Sequence, residues 1–189
     1  MVIQNPEKVY EIRPTRWQYF GIVLKTLFSF TFLKHVFVLM AFYLINYVRG
    51  RRLAHIGKGC HISPTVLMRY PERIIIGNEC LLNHNNVLQA GKKNAIIKLG
   101  DYVMCGPNVQ MFAYNHGIEA MDAPMIKQPY TEADIIIEDD VWIGAGTIIL
   151  AGTKINGGVV IAAGSVVAGE LPSNTICGGV PAKVIKERQ

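Results

Sequence analysis

Apolar side chains recur every sixth position in the second half of the chain: Ile137, Ile143, Ile149, Ile155, Ile161 and Val167 are all β-branched. Four residues after each comes a second set, Val141, Thr147, Thr153, Val159, Ser165 and Leu171, with glycine interleaved at Gly144, Gly146, Gly152, Gly158 and Gly164. The same phase occurs earlier in short runs: Ile56 and Ile62; Ile76, Leu82 and Leu88; then Leu99, Cys105 and Met111, with Val103, Val109 and Asn115 at the second offset. A period of six is neither the helical repeat nor the alternation of a half-buried strand. It predicts short strands joined by tight corners, three strands to a triangular coil, with coils stacked so that one apolar residue per strand enters a continuous column. Glycine suits corners that need positive φ. The phase breaks twice, by about five residues around Lys92–Lys98 and by twenty residues, 117–136. A long excursion from a solenoid serves a site or an interface, and His116 stands where this one leaves.

The first third carries a different pattern. Residues 1–19 are polar and mixed, after which six of the seven phenylalanines fall between Phe20 and Phe42. Two apolar runs, 21–33 and 36–48, are separated by Lys34 and His35 and followed by Arg49, Arg51 and Arg52. Each run of thirteen would reach ~20 Å as a helix, short of a ~30 Å hydrocarbon core. Joined, they are long enough but place Lys25 and Lys34 inside the span. We expect helices lying at a membrane interface, with Trp17, Tyr19, Tyr43 and Tyr47 at headgroup level and the cations snorkelling. The competing expectation is that the helices pack against the rest of the protein or against sister subunits of a trimer. The domain boundary falls between a helical segment, 1–54, and a repeat domain, 55–189.

Charge sharpens the division. The chain of 189 residues has a net charge of +5, but residues 1–58 hold nine Lys/Arg against Glu7 and Glu11, whereas 59–189 hold ten against twelve acids. The positive charge is local and suits an anionic surface; no nucleic-acid-binding motif accompanies it. Half the residues are hydrophobic and 17% charged, which excludes a disordered chain. Cys60, Cys80, Cys105 and Cys177 lack zinc-site or disulfide-scaffold spacing and fit free thiols in a reducing compartment.

Several segments resemble the hexapeptide-repeat acyltransferases, in particular the galactoside and maltose O-acetyltransferases: residues 76–85 ending in Asn83-His84-Asn85, then 106–109 followed by Asn115-His116, 140–144, 161–167, and 179–185 with Gly179-Val180-Pro181-Ala182. The resemblance covers about residues 55–187. It implies a left-handed parallel β-helix, mainly β, preceded here by the hydrophobic helical segment. It also implies a homotrimer with sites between subunits, acetyl-CoA as co-substrate, no metal, and a saccharide acceptor. The Phe-rich start is more like members from polysaccharide gene clusters, whose acceptors are often lipid-linked; a cytoplasmic enzyme, peripheral on the inner membrane, is the corresponding expectation.

Acyl transfer to a hydroxyl needs a base, an oriented acceptor and oxyanion stabilisation. The resemblance makes His116 the base, with Asn85, Asn83, His84, Asn115 and Trp142 lining the acceptor side. Backbone amides near Ala145 and Ala163 would hold the pantetheine arm, and Lys183 and Lys186 the phosphates. Relatives often carry Thr-Lys where this chain has Ala168-Gly169, which alters part of that contact. The alternatives are an amino-sugar N-acetyltransferase, a γ-carbonic-anhydrase-like zinc lyase and a non-catalytic scaffold. For the lyase, position 121 is Met where a third histidine is expected.

Overall fold

The computed structural model describes residues 13–189, so the polar start with Glu7 and Glu11 lies outside it. The chain divides into two compact units between Phe42 and Tyr43. In the first, helix Arg16–Leu27 opens with a capping box, in which the Thr15 side chain accepts from the Gln18 backbone and Gln18 reaches back to the Thr15 N–H. It ends at Phe28, and Ser29 starts the next helix by accepting from Phe32 N–H. Phe28 and Phe30 are each more than four-fifths exposed, as is Trp17.

The two apolar runs are therefore not the two helices. The break falls at Phe28-Ser29, and the helical stretch Phe30–Leu53 is 24 residues long with mean hydropathy 1.5, long and apolar enough to cross a membrane. At 1.5 Å per residue it reaches ~36 Å. It includes one π-helical turn, Leu44–Val48. The unit boundary also differs from 54/55, because residues 43–53 are tied to the repeats. Gly50 lies so close to Met68 that a Cβ there would be 3.0 Å from the Met68 Cβ. Arg49 pairs with Glu72 at 2.6 Å, and Arg51 donates to the carbonyls of Ile62 and Ser63.

The second unit is a parallel β-helix. Three sheets run its length: six strands from His55–Ile56 to Glu170–Leu171 (sheet A), seven from His61–Ile62 to Ala182–Glu187 (sheet B), and five between Leu67–Arg69 and Val166–Val167 (sheet C). From Ile137 to Val167 every member of the six-residue column is at most 1% exposed. The second set is buried at the corners, and its hydroxyls are satisfied there: Thr147 donates to Gly144 O at 2.7 Å and Ser165 to Ala162 O at 2.7 Å. Buried polar groups are tolerated when bonded in this way. The Gly144 corner has no room for a side chain, since a Cβ would lie 2.5 Å from the Ala163 amide nitrogen in the next coil. The last strand, Ala182–Glu187, folds back antiparallel on Thr175–Gly179 and covers that sheet's end.

The long excursion is shorter than 117–136. Tyr114–His116 pairs antiparallel with Tyr130–Glu132, and the coil's strand begins again at Ile135, two residues before the column position Ile137. The free loop is thus 117–129, rooted on a two-stranded ribbon. The smaller insertion returns to strand already at Ile97.

Candidate active site

The three corners of the coil decide where each candidate residue lies. Asn83, His84, Asn85, Ala145 and Ala163 stack along the corner between sheets B and C. Asn115 and His116 lie on the opposite edge of sheet C, after Gln110–Phe112. A three-residue strand of ~10 Å separates the two edges. Trp142 is on sheet B, half exposed, between Met104 and Val160. One chain therefore keeps Asn115 beside His116 but does not bring His116 together with Asn83, His84, Asn85 or the Ala145 and Ala163 amides.

At the loop root, register assigns the side chains to two sides of the ribbon. Tyr114, His116, Tyr130 and Glu132 share one side, because Tyr114 pairs with Glu132 and His116 with Tyr130; Asn115 and Thr131 share the other. His116 is exposed and its ring lies 4.3 Å from that of Tyr130. A cleft of about 460 Å³ opens beside it, lined by Asn115, His116, Gly117, Met121, Gln128 and Thr131. The Gln128 amide is fixed, since its nitrogen donates to Glu119 O at 2.9 Å and Ala123 O at 3.1 Å, which leaves its buried oxygen without a partner.

Behind the ribbon, the corner 91–95 is clamped from both ends. Glu132 accepts from the N–H groups of Lys93, Asn94 and Ala95, and these bonds, that from Asn94 foremost, hold its carboxyl below the usual range. Arg73 donates to Gly91 O and Lys92 O. The clamp presents Lys92 with its Nζ 3.0 Å from the centre of the Tyr130 ring and 5.0 Å from that of Tyr114. Interaction with Tyr130 pushes the Lys92 ammonium up from its ordinary value, and burial pushes the Tyr114 phenol up.

Corner by corner, the asparagine motif divides its roles. Asn85 takes the left-handed conformation, φ 59°, with an exposed side chain, and Asn83 is half-buried. The neighbouring Asn86 is fully buried and accepts from Val109 N–H at 2.8 Å. On the same edge, the backbone N–H groups of Ala145 and Ala163 have no partner within the described chain, while those of Gly146 and Gly164 bond from coil to coil.

The sequence profile of bacterial transferase hexapeptide (six repeats) matches residues 134–169. A maltose O-acetyltransferase from Clostridium difficile 630 is 33% identical with TM-score 0.66, over 74% of this chain and 73% of that one. This chain belongs to the hexapeptide-repeat acetyltransferase family. The hexapeptide-repeat acetyltransferase of Vibrio cholerae, in a structure with acetyl coenzyme A, is 28% identical with TM-score 0.66, over 92% of this chain and 87% of that one. The galactoside O-acetyltransferase of Escherichia coli K12 is 31% identical over 71% of this chain. The chain spans 44% to 64% of the length of the galactoside enzyme and three other curated relatives.

For a hexapeptide-repeat acetyltransferase, the paired corner amides are the notable feature of the outer edge. Two free N–H groups on an edge of glycine and alanine suit an extended pantetheine amide chain and a thioester oxygen. Lys183 and Lys186 are exposed on the closing strand and form no ion pair among the described residues. The cysteines face inward: burial raises the Cys80 thiol to about 11 and the Cys105 thiol to about 12, so neither offers a thiolate. Met121 is an exposed loop residue. No sequence pattern points to Gln128, Tyr130, Lys92 or Glu132. Their signal lies in cross-strand pairing of a ribbon that has no hexapeptide phase.

Proposed function

We propose that this protein transfers an acetyl group from acetyl-CoA to a saccharide hydroxyl, in glycan biosynthesis at a membrane. The observation that carries the reaction is His116 at the mouth of the loop-root cleft, with free corner amides on the far edge of the same sheet. His116 takes the proton from the acceptor hydroxyl as its oxygen attacks the thioester carbonyl. The Ala145 or Ala163 N–H stabilises the tetrahedral oxyanion. Collapse expels the coenzyme A thiolate, which the imidazolium protonates. Asn83, His84, Asn85 and Asn115 offer donors and acceptors to sugar hydroxyls, and Lys183 and Lys186 offer charge to the coenzyme phosphates.

The assembly we infer is a homotrimer with sites completed between copies. Its support is the asymmetry of the three sheets. Outward positions on sheet A are His55, Ile75, Lys98, Ile136, Lys154 and Glu170, mostly polar. Those on sheet B are His61, Leu81, Met104, Trp142, Val160 and Ile176, and those on sheet C include Val87, Gln110, Ile148 and Val166, mostly apolar. Two apolar sheets are more exposed apolar surface than a monomer keeps. Membrane attachment rests on the apolar helical residues 30–42 and on the exposed Trp17, Phe28 and Phe30; a lipid-linked acceptor on the cytoplasmic side fits that placement.

The test is thiol release from acetyl-CoA by the full chain and by His116→Ala, against free, nucleotide-linked and lipid-linked sugars. The variant is expected to stay folded and lose roughly 10²–10⁴-fold in turnover. Undiminished turnover would remove His116 from the mechanism. Transfer only to amino-sugar nitrogen would favour the N-acetyl alternative.

A further inference from the structure

The side of the ribbon that carries His116 and Tyr130 is also cationic. Lys92 sits against Tyr130, and Tyr130 against His116, so the ammonium is no farther from the imidazole than 3.0 Å and 4.3 Å laid end to end. Arg69 lies one coil below, since it pairs with Gln89, which accepts from the Tyr114 hydroxyl at 2.7 Å. The charges of Lys92 and Arg69 both act on Tyr114. Neither cation forms an ion pair among the described residues. The adjacent carboxylates are committed elsewhere, Glu132 to three backbone N–H groups and Glu72 to Arg49. Lys92 is also held in place, its corner gripped by Glu132 and Arg73. A fixed, unpaired cation beside aromatic rings at a sugar-sized distance from the base is a recognition element for an anion.

We propose that Lys92, with Arg69, binds an anionic group of the acceptor, a phosphate or a carboxylate, while His116 faces the hydroxyl that is acetylated. This deepens the acetyltransferase proposal and rests on it. Tyr130, packed between cation and base, sets the spacing between them. The phosphates of coenzyme A are the other possible source of the anion. Position argues against them: Lys92 follows Val87–Gln89 of sheet C, in the same coil as the second strand of sheet B, whereas Lys183 and Lys186 lie on sheet B's closing strand. The four coil spacings from the second strand to the strand that the closing one covers amount to about 20 Å.

The experiment uses full-length protein, Lys92→Gln and Arg69→Gln, with galactose, galacturonate and galactose 6-phosphate as probes. Calorimetry measures probe binding without turnover, and thiol release measures KM for probe and for acetyl-CoA. The expected result is that an anionic probe binds the wild type at least tenfold more tightly than galactose. Each substitution should weaken that probe by about 10- to 100-fold, the range of a charge-assisted hydrogen bond, without changing KM for acetyl-CoA. Equal binding of galactose and both anions, or anion binding indifferent to Lys92→Gln and Arg69→Gln, would overturn the proposal. So would a rise in KM for acetyl-CoA alone, which would assign the cations to the coenzyme. Because binding is read separately, loss of the His116 mechanism would leave this result interpretable.

Discussion

Ile148 and Ile149 are neighbours on one strand and face opposite ways, so they separate the energy of the column from the energy of assembly. Ile149 is fully buried between Met111 and Val167 of the adjoining coils. Truncation to alanine removes three carbons, about 2.4 kcal/mol of transfer energy at ~0.8 kcal/mol each. The void adds to this because coils fixed by backbone bonds on both sides collapse poorly, giving roughly 3–5 kcal/mol. Ile148 faces outward on sheet C and is half-buried in a single chain. Ile148→Asp should spare the coil and instead place a charge in the subunit contact. The assay is urea unfolding by circular dichroism at one subunit concentration, since assembly makes apparent stability concentration-dependent. Sedimentation velocity gives the oligomeric state. Ile149→Ala should unfold at markedly lower urea and remain trimeric before the transition, whereas Ile148→Asp should sediment as a folded monomer. Lys154→Ala, on the charged sheet, should stay within about 0.5 kcal/mol of wild type. A loss below ~1 kcal/mol for Ile149→Ala would refute the packing argument. A trimeric Ile148→Asp would refute the assignment of sheets B and C to the interface.

Two further predictions concern the clamp and the anchor. Glu132 has its folded carboxyl held low by backbone N–H groups, so its contribution is present above the ordinary carboxylate range and disappears as pH falls through the depressed folded value. Amide exchange at Lys93–Ala95 should accelerate over that acidic window in the wild type; in Glu132→Gln it should be fast already at neutral pH, and slow exchange there would show that the carboxylate does not hold the corner. Deleting residues 1–42 should move the protein from the membrane pellet to the supernatant with the repeat unit's circular dichroism intact, and retention in the pellet would place the attachment in residues 43–189.

The repeat domain was legible because its periodicity is a local rule: each position of the six-residue column meets the same environment one coil later, so Ile137 to Val167 announce themselves without knowledge of their partners. His116 was legible as the point where the phase stops. Helix boundaries in the first unit were less so, because polar residues at 34 and 35 mark a change in composition but do not interrupt a helix. The interruption comes at Phe28-Ser29, where a serine hydroxyl caps the next turn. The ribbon side of the site was not legible at all. Lys92 and Tyr130 are 38 positions apart with no periodic relation. What joins them is the antiparallel register of Tyr114–His116 with Tyr130–Glu132 and a carboxylate that reaches across to an inserted corner.

The separation of the candidate residues constrains the assembly more tightly than the apolar surface does. Within one chain the strand across sheet C keeps His116 from the Ala145 and Ala163 amides, and no rotamer of an imidazole spans ~10 Å. If both groups act on one thioester, the amides must come from another copy. Apolar area is present on two different sheets, B and C, so a contact between sheet B of one copy and sheet C of the next joins unlike surfaces. Such a heterologous contact leaves an open B and an open C on any pair, and it terminates only in a ring. Three copies form the smallest ring, with one contact, one loop root and one amide edge per subunit. With the proposed chemistry, a dimer would be both unsatisfied at its surfaces and incomplete at its sites, so the trimer we propose rests on the reaction as much as on the packing.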